Sequence, residues 1–145
     1  MTGTAARRRL VIRTDGAARG NPGPAGAGWV IETPEGEAIA EGWAYLGILT
    51  NNQAEYDALL HALDEAGLDD ETELAVYSDS ELLVRQLNGQ YRVKDEALRE
   101  RFHRVMHALR RAGEVTVNHV RRAENARADA LANRAIDLEA PSPTG

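Results

Sequence analysis

The apolar positions of the chain first follow the period of strands and then that of helices. Arg9 to Thr14 holds Leu10, Val11 and Ile12 in an almost unbroken run, the pattern of a buried strand, and leads into a Gly/Pro-rich turn from Gly16 to Gly26. Ala27 to Ile31 predicts a second strand, and Thr33-Pro34-Glu35-Gly36 is a hairpin signal. Ala38 to Leu46 predicts a third strand, with Ile39, Trp43 and Tyr45 on one side and small residues on the other. The period then changes. Between Asn51 and Ala66, residues Leu59, Ala62, Leu63 and Ala66 mark one helical face, Thr50 with Gln53 makes a capping-box start, and Gly67 a stop. Glu73 to Tyr77 predicts a strand running into a helix from about Ser80 to Leu87. Asp95 to Arg111 is an amphipathic helix with Leu98, Phe102, Val105 and Leu109 inward. Val115 to Val120 is a last strand and Glu124 to Leu138 a last helix. Hairpins followed by alternating helices and strands predict an α/β fold, a mixed sheet with helices on both faces.

Composition narrows this to one globular domain over residues 9–139, with an N-terminal tail at 1–8 and a Pro-rich tail or start of a linker at 140–145. There is no cysteine, which excludes disulfides and thiolate metal sites. No apolar run approaches the roughly 20 residues needed to span a bilayer, so the expected location is cytoplasmic, with no membrane partner. The net charge of −6 runs against a nucleic-acid partner, since phosphates want a basic face. Divalent cations bound at acidic side chains would offset much of that charge at the site itself.

Four acids are candidates for holding such cations. Asp15 ends a strand of apolar and β-branched residues, where it could also start the following turn by bonding its own backbone. Glu55 stands on the buried stripe of its own helix, because Leu59, Ala62, Leu63 and Ala66 follow at i+4, i+7, i+8 and i+11. The helix dipole favours an acid in the first turn but does not require the inward face, and a buried carboxylate needs a partner. Asp79 lies where a strand turns into a helix, within an N-cap cluster of Ser78, Asp79, Ser80 and Glu81. Asp129 neighbours the small apolar stripe of Ala128, Leu131, Ala132 and Ala135, and Arg127 at i−2 does not face it. Each acid has an ordinary structural use. Together they form the oxygen-donor set that Mg²⁺ accepts, and two such ions about 4 Å apart can activate water and stabilise a leaving oxygen.

The stretch from Thr14 through Asp15-Gly16-Ala17-Ala18-Arg19-Gly20-Asn21 to Gly23 resembles the opening motif of type 1 ribonuclease H. Thr50-Asn51-Asn52-Gln53-Ala54-Glu55, Ser78-Asp79-Ser80 and the run from Glu124 to Ala132 are similar to its other three motifs, in the same order. The resemblance covers about residues 9–137 and implies a five-stranded mixed sheet. It also implies endonucleolytic cleavage of the RNA strand of RNA–DNA hybrids, leaving 5′-phosphate and 3′-hydroxyl ends. Mg²⁺ or Mn²⁺, two ions with substrate bound, would be held by Asp15, Glu55, Asp79 and Asp129. Asn21, Asn52 and Gln53 would lie along the minor groove, where 2′-hydroxyls mark RNA. Thr50 would contact a phosphate of the DNA strand, and Gly16 joins the same substrate-binding set. Asn21 also reads as a turn residue, and Thr50 and Gln53 as the capping box.

The chain departs from the family pattern twice. The loop histidine that many members carry before the last acid's helix has no counterpart in Asn118-His119-Val120-Arg121-Arg122-Ala123. His119 aligns with the strand end, and Arg122 takes the phosphate or product contact, although Arg121 and Arg122 also read as surface charge. The basic, Trp-bearing protrusion is absent between Leu87 and Arg99, which is similar to the archaeal and actinobacterial branch. Arg92, Lys94, Arg99, Arg101 and Arg104 offer a diluted substitute, so hybrid binding is expected to be weaker and more salt-sensitive. No obligatory protein partner is expected, and the protein reads as a monomer. Two alternatives stay open: a hybrid-binding domain with weak or lost catalysis, and another metal-dependent nuclease on the same fold. A proofreading exonuclease would want an acid where Ala17 stands. A phosphate-cradling loop would end in Gly-Lys-Ser/Thr, which Gly16 to Gly28 does not.

Overall fold

The computed structural model describes residues 8–139; both predicted tails, apart from Arg8, lie outside them. Its elements are β1 (Arg8–Ala18), β2 (Gly23–Glu32), β3 (Ala38–Leu49), α1 (Asn51–Ala66), β4 (Thr72–Ser78), α2 (Glu81–Leu87), α3 (Glu96–Leu109), β5 (Glu114–His119), a 3₁₀ turn (Arg122–Asn125) and α4 (Ala126–Glu139). The strands form one sheet in the order β3-β2-β1-β4-β5. The β1–β2 and β2–β3 pairs are antiparallel, while β1–β4 and β4–β5 are parallel. This is the mixed sheet expected from the pattern, with the five strands that the family resemblance implies. Among the described residues no helix is long and apolar enough to cross a membrane.

The main difference from the sequence reading lies in the turn expected over Gly16–Gly26. Strand β1 runs on to Ala18 and β2 begins at Gly23, so most of that stretch is paired backbone. The glycines there allow close approach of helices to the sheet. A Cβ at Gly16 would collide with the backbone of Ala54 and Glu55 in α1, and one at Gly26 with the Ala132 carbonyl of α4; just beyond the stretch, one at Gly28 would meet the backbone of Ala128 and Ala132. In β3 the alternation holds, and the large residues are the outer ones. Ile39 is 57% and Trp43 41% exposed, while Ala40 and Ala44 pack against the core. The Trp43 ring lies under the Arg134 guanidinium of α4, 5.1 Å from its centroid.

Local chemistry sets where each helix starts. Thr50 Oγ1 accepts from the Gln53 N–H at 3.2 Å, and Gln53 Oε1 accepts from the Thr50 N–H at 2.9 Å, so the capping box is complete. Gly67 ends α1 in the left-handed region at φ 61°. Asp95 caps α3 through the Leu98 N–H at 2.9 Å. The last helix starts two residues later than its apolar period suggests, because residues 122–125 first make a tighter 3₁₀ turn.

The largest core lies on the face covered by α1, where Ile12, Leu59, Val76 and Leu83 are almost wholly inaccessible. Burying each such side chain contributes on the order of 1.5–3 kcal/mol. Helix α3 packs on α1 from outside, and α4 covers the opposite face over β1, β2 and β3. Helices therefore lie on both faces, and the carboxyl ends of β1 and β4 stay uncovered between α1 and α4.

Candidate functional site

The parallel register of β1 and β4 ends at the pair Thr14–Ser78. Asp15 and Asp79 are the next positions on neighbouring strands, so the sheet itself sets these two carboxylates side by side. Glu55 reaches them from the first turns of α1, and Asp129 from the first turn of α4. Carboxylate oxygens of Asp15, Glu55 and Asp79 lie within 4.8 Å of one another. Asp129 lies beside the Asp15 carboxyl, close enough to perturb it. All four line a recess of about 570 Å³ with Gly16, Ala17, Ala18, Asn51, Arg122 and Asn133.

The structural uses open to these acids in the sequence are taken elsewhere. Asp15 is 5% exposed and sits within a paired strand instead of starting a turn. Ser80 caps α2, its Oγ accepting from the Leu83 N–H at 3.2 Å, which leaves Asp79 out of the cap. The stripe below Glu55 is buried throughout, at Leu59, Ala62, Leu63 and Ala66. The Gly16 N–H donates to Glu55 Oε1 at 2.9 Å, so a strand amide orients that carboxylate.

The cluster is electrostatically strained without a cation. Burial, followed by the charge of Glu55, the hydrogen bond from Asp129 and the charges of Asp79 and Asp129, pushes the Asp15 carboxyl far above its ordinary range. Burial and then the Asp79 charge push Glu55 upward, against the Gly16 N–H and the positive charge of Arg122. Arg122 is the one basic residue among those lining the recess. Close, repelling oxygen donors of this kind suit a hard divalent cation, which turns their repulsion into attraction.

The other expected residues flank this recess, with two lining it. Gly16 and Arg122 belong to the lining. Asn21 Oδ1 accepts from the Asn51 N–H at 3.0 Å, while Asn51 Oδ1 accepts from the Ala18 N–H at 2.9 Å. These bonds tie the β1–β2 turn to the start of α1. Thr50 and Gln53 form the cap beside it, and Asn52 is exposed on the same first turn. His119 is exposed at the end of β5. The basic residues suggested as a grip are partly committed, Arg101 to Asp57 at 2.8 Å and Arg104 to Glu100 at 3.5 Å.

Three asparagines were not singled out from the sequence. Asn51 and Asn133 line the recess, and Asn125 is buried with its Nδ2 donating to the Thr14 carbonyl at 2.8 Å. Asn133 follows Asp129 at i+4, so helical spacing carried a usable signal. Asn51 owes its place to the pairing of turn and helix, which has no sequence signature.

A family model described as reverse transcriptase-like matches residues 13–135. Ribonuclease HI of Halobacterium salinarum is 47% identical over 126 residues, 85% of this chain and 62% of that protein's length. A Mycobacterium tuberculosis protein named as bifunctional is 40% identical over 135 residues, 92% of this chain but 37% of its own length. The chain thus spans less than two thirds of these curated relatives. The structure of LC11-RNase H1 in complex with an RNA/DNA hybrid superposes with a TM-score of 0.84 at 46% identity, covering 89% of this chain and 97% of that one.

Proposed function

The chain belongs to the type 1 ribonuclease H family, and we propose that it hydrolyses the RNA strand of RNA–DNA hybrids, leaving 5′-phosphate and 3′-hydroxyl ends. The observation that carries this reading is the gathering of Asp15, Glu55 and Asp79 within 4.8 Å, with Asp129 lining the same recess. Asp15, Glu55, Asp79 and Asp129 would hold Mg²⁺ or Mn²⁺, two ions once substrate is bound. Such ions supply an activated water and neutralise charge at the scissile phosphate and leaving oxygen. All four carboxylates come from one chain, which supports a monomeric enzyme.

The protein groups around the metal ligands divide the remaining work. The Gly16 amide fixes Glu55 before substrate arrives. Gly16 also brings strand backbone to the edge of the recess, where a nucleotide can approach closely. Arg122 faces the same space and supplies a guanidinium for a phosphate oxygen of substrate or product.

Hydrogen-bond bookkeeping suits the flanking residues to a nucleic-acid groove. The side-chain oxygens of Asn21 and Gln53 already accept backbone N–H bonds, which leaves their NH₂ groups as the donors a substrate could use. Thr50 Oγ1 accepts in the cap and keeps its own proton for a phosphate oxygen. Asn52, exposed between them, completes a row of donors that 2′-hydroxyls and base edges can accept.

The test uses labelled RNA–DNA hybrid with Mg²⁺ or Mn²⁺. The wild-type protein is expected to cut the RNA strand, and Asp79→Asn to lose at least about a hundredfold in rate, beyond the usual cost of disturbing a ligand's support. Equal cleavage by the variant, or none by wild type in either metal, would overturn the assignment.

A further inference from the structure

Asn133 lines the recess one helical turn beyond Asp129 and is half-buried. Its Nδ2 donates to the Asp129 carbonyl at 3.0 Å and lies 3.4 Å from Asp129 Oδ1. On its other side, Arg19 Nη2 is 3.3 Å from both the Asn133 carbonyl and Asn133 Oδ1. The same guanidinium pairs with Asp137 through Nη1 at 2.7 Å. Arg19 belongs to the β1–β2 turn, its own N–H bonded to the Pro24 carbonyl at 2.8 Å.

This geometry fixes which way the amide points. Either end of an asparagine amide can in principle face a neighbour. Arg19 carries only donors, so it must be met by Oδ1, which leaves Nδ2 for Asp129. A donor there restrains the carboxylate without neutralising it. A cation in the same place would hold Asp129 equally well, yet would compete for the charge that a metal needs. Arg19 acts at one remove, with Asp137 absorbing part of its charge.

We propose that Asn133 is a positioning residue that holds the Asp129 carboxylate in place for metal binding, its amide oriented by Arg19. This rests on the metal-dependent reading of the site and deepens it. It also links the turn bearing Asn21 to the fourth carboxylate, since Arg19 and Asn21 share that turn.

The experiment is calorimetric titration of the full chain with Mn²⁺ alone, followed by hybrid cleavage against Mn²⁺ concentration. Asn133→Ala and Asn133→Leu both remove the donor, and the leucine keeps the volume. Each is expected to weaken Mn²⁺ binding about tenfold, at the low end of what losing a ligand's supporting hydrogen bond costs. The half-saturating metal concentration for cleavage should rise to match, with KM for hybrid within twofold of wild type. Melting temperatures in EDTA should stay unchanged, which a merely structural role would not allow. Arg19→Ala should shift metal binding in the same direction by less. Mn²⁺ affinities within twofold of wild type in both Asn133 variants would overturn the proposal. Wild-type protein that neither binds Mn²⁺ nor cleaves would overturn the functional reading itself, a separate result.

Discussion

With burial and neighbouring carboxylates acting in one direction, the Asp15 carboxyl keeps its proton well above the usual carboxylate range, and Glu55 is pushed the same way. The sign for stability follows from proton binding. The metal-free folded state holds protons that the unfolded chain has released, so stability falls as pH rises above the unfolded value near 4. In EDTA, chemical denaturation should show a less stable protein at pH 8 than at pH 5, and Mg²⁺ should restore most of the difference at the higher pH. Asp15→Asn replaces a carboxyl that must take up a proton on folding with a group that is always neutral. It should abolish cleavage yet stabilise the metal-free protein at pH 7 by about 1–2 kcal/mol, as relief of a strained site commonly does. A loss of stability in that variant would show that the four acids do not repel one another in the fold.

At the scale of elements, the site depends on how closely two helices approach the sheet. Helix α4 rests on β2 at Gly28, where a side chain would meet the backbone of Ala128 and Ala132. Neither backbone segment can rotate away as a side chain could. Gly28→Ala should therefore cost roughly 1–3 kcal/mol in denaturant unfolding, the usual range for overpacking. Because Asp129 lies between those two residues, the same change should raise the metal requirement for cleavage. Ser80→Ala provides the contrast. It removes the α2 cap and should cost about 1 kcal/mol, and, with Asp79 carried by β4 and the turn after it, the metal requirement should stay where it was.

For the whole molecule, a net charge of −6 and a partly committed set of arginines limit the grip on a polyanion. The salt slope of binding counts neutralised phosphates, at about 0.9 per contact for a duplex of the DNA type. With few contacts that slope should be shallow, so the greater salt sensitivity expected from the sequence comes down to an earlier loss of binding from a weak start, not to a steeper slope. Titrating labelled hybrid with the Asp79→Asn variant against rising KCl measures both. A steep slope would reveal a basic face larger than the partly paired arginines offer.

Much of this protein was legible in the order of its residues. The α/β class, the span of α1 and the inward placement of Glu55 follow from local periods, and the apolar stripe and capping box are written within one helix. Four motifs in sequence order pointed to the acids before any of them had a position in space. Other features needed the folded chain. The stretch from Gly16 to Gly26 carries turn residues, yet most of it is strand, because Gly16 and Gly26 answer to helices that arrive from residues 54 and 132. Asp15 and Asp79 stand side by side only because the parallel pairing of β1 and β4 stops one residue short of each. The tie from Arg19 through Asn133 to Asp129 joins positions more than a hundred residues apart. Sequence alone determined which residues could carry the chemistry, because residue type and local period are properties of neighbours along the chain. Tertiary structure decided which of them meet and which amide or guanidinium holds them there, because strand register and helix approach are settled only when distant segments pack.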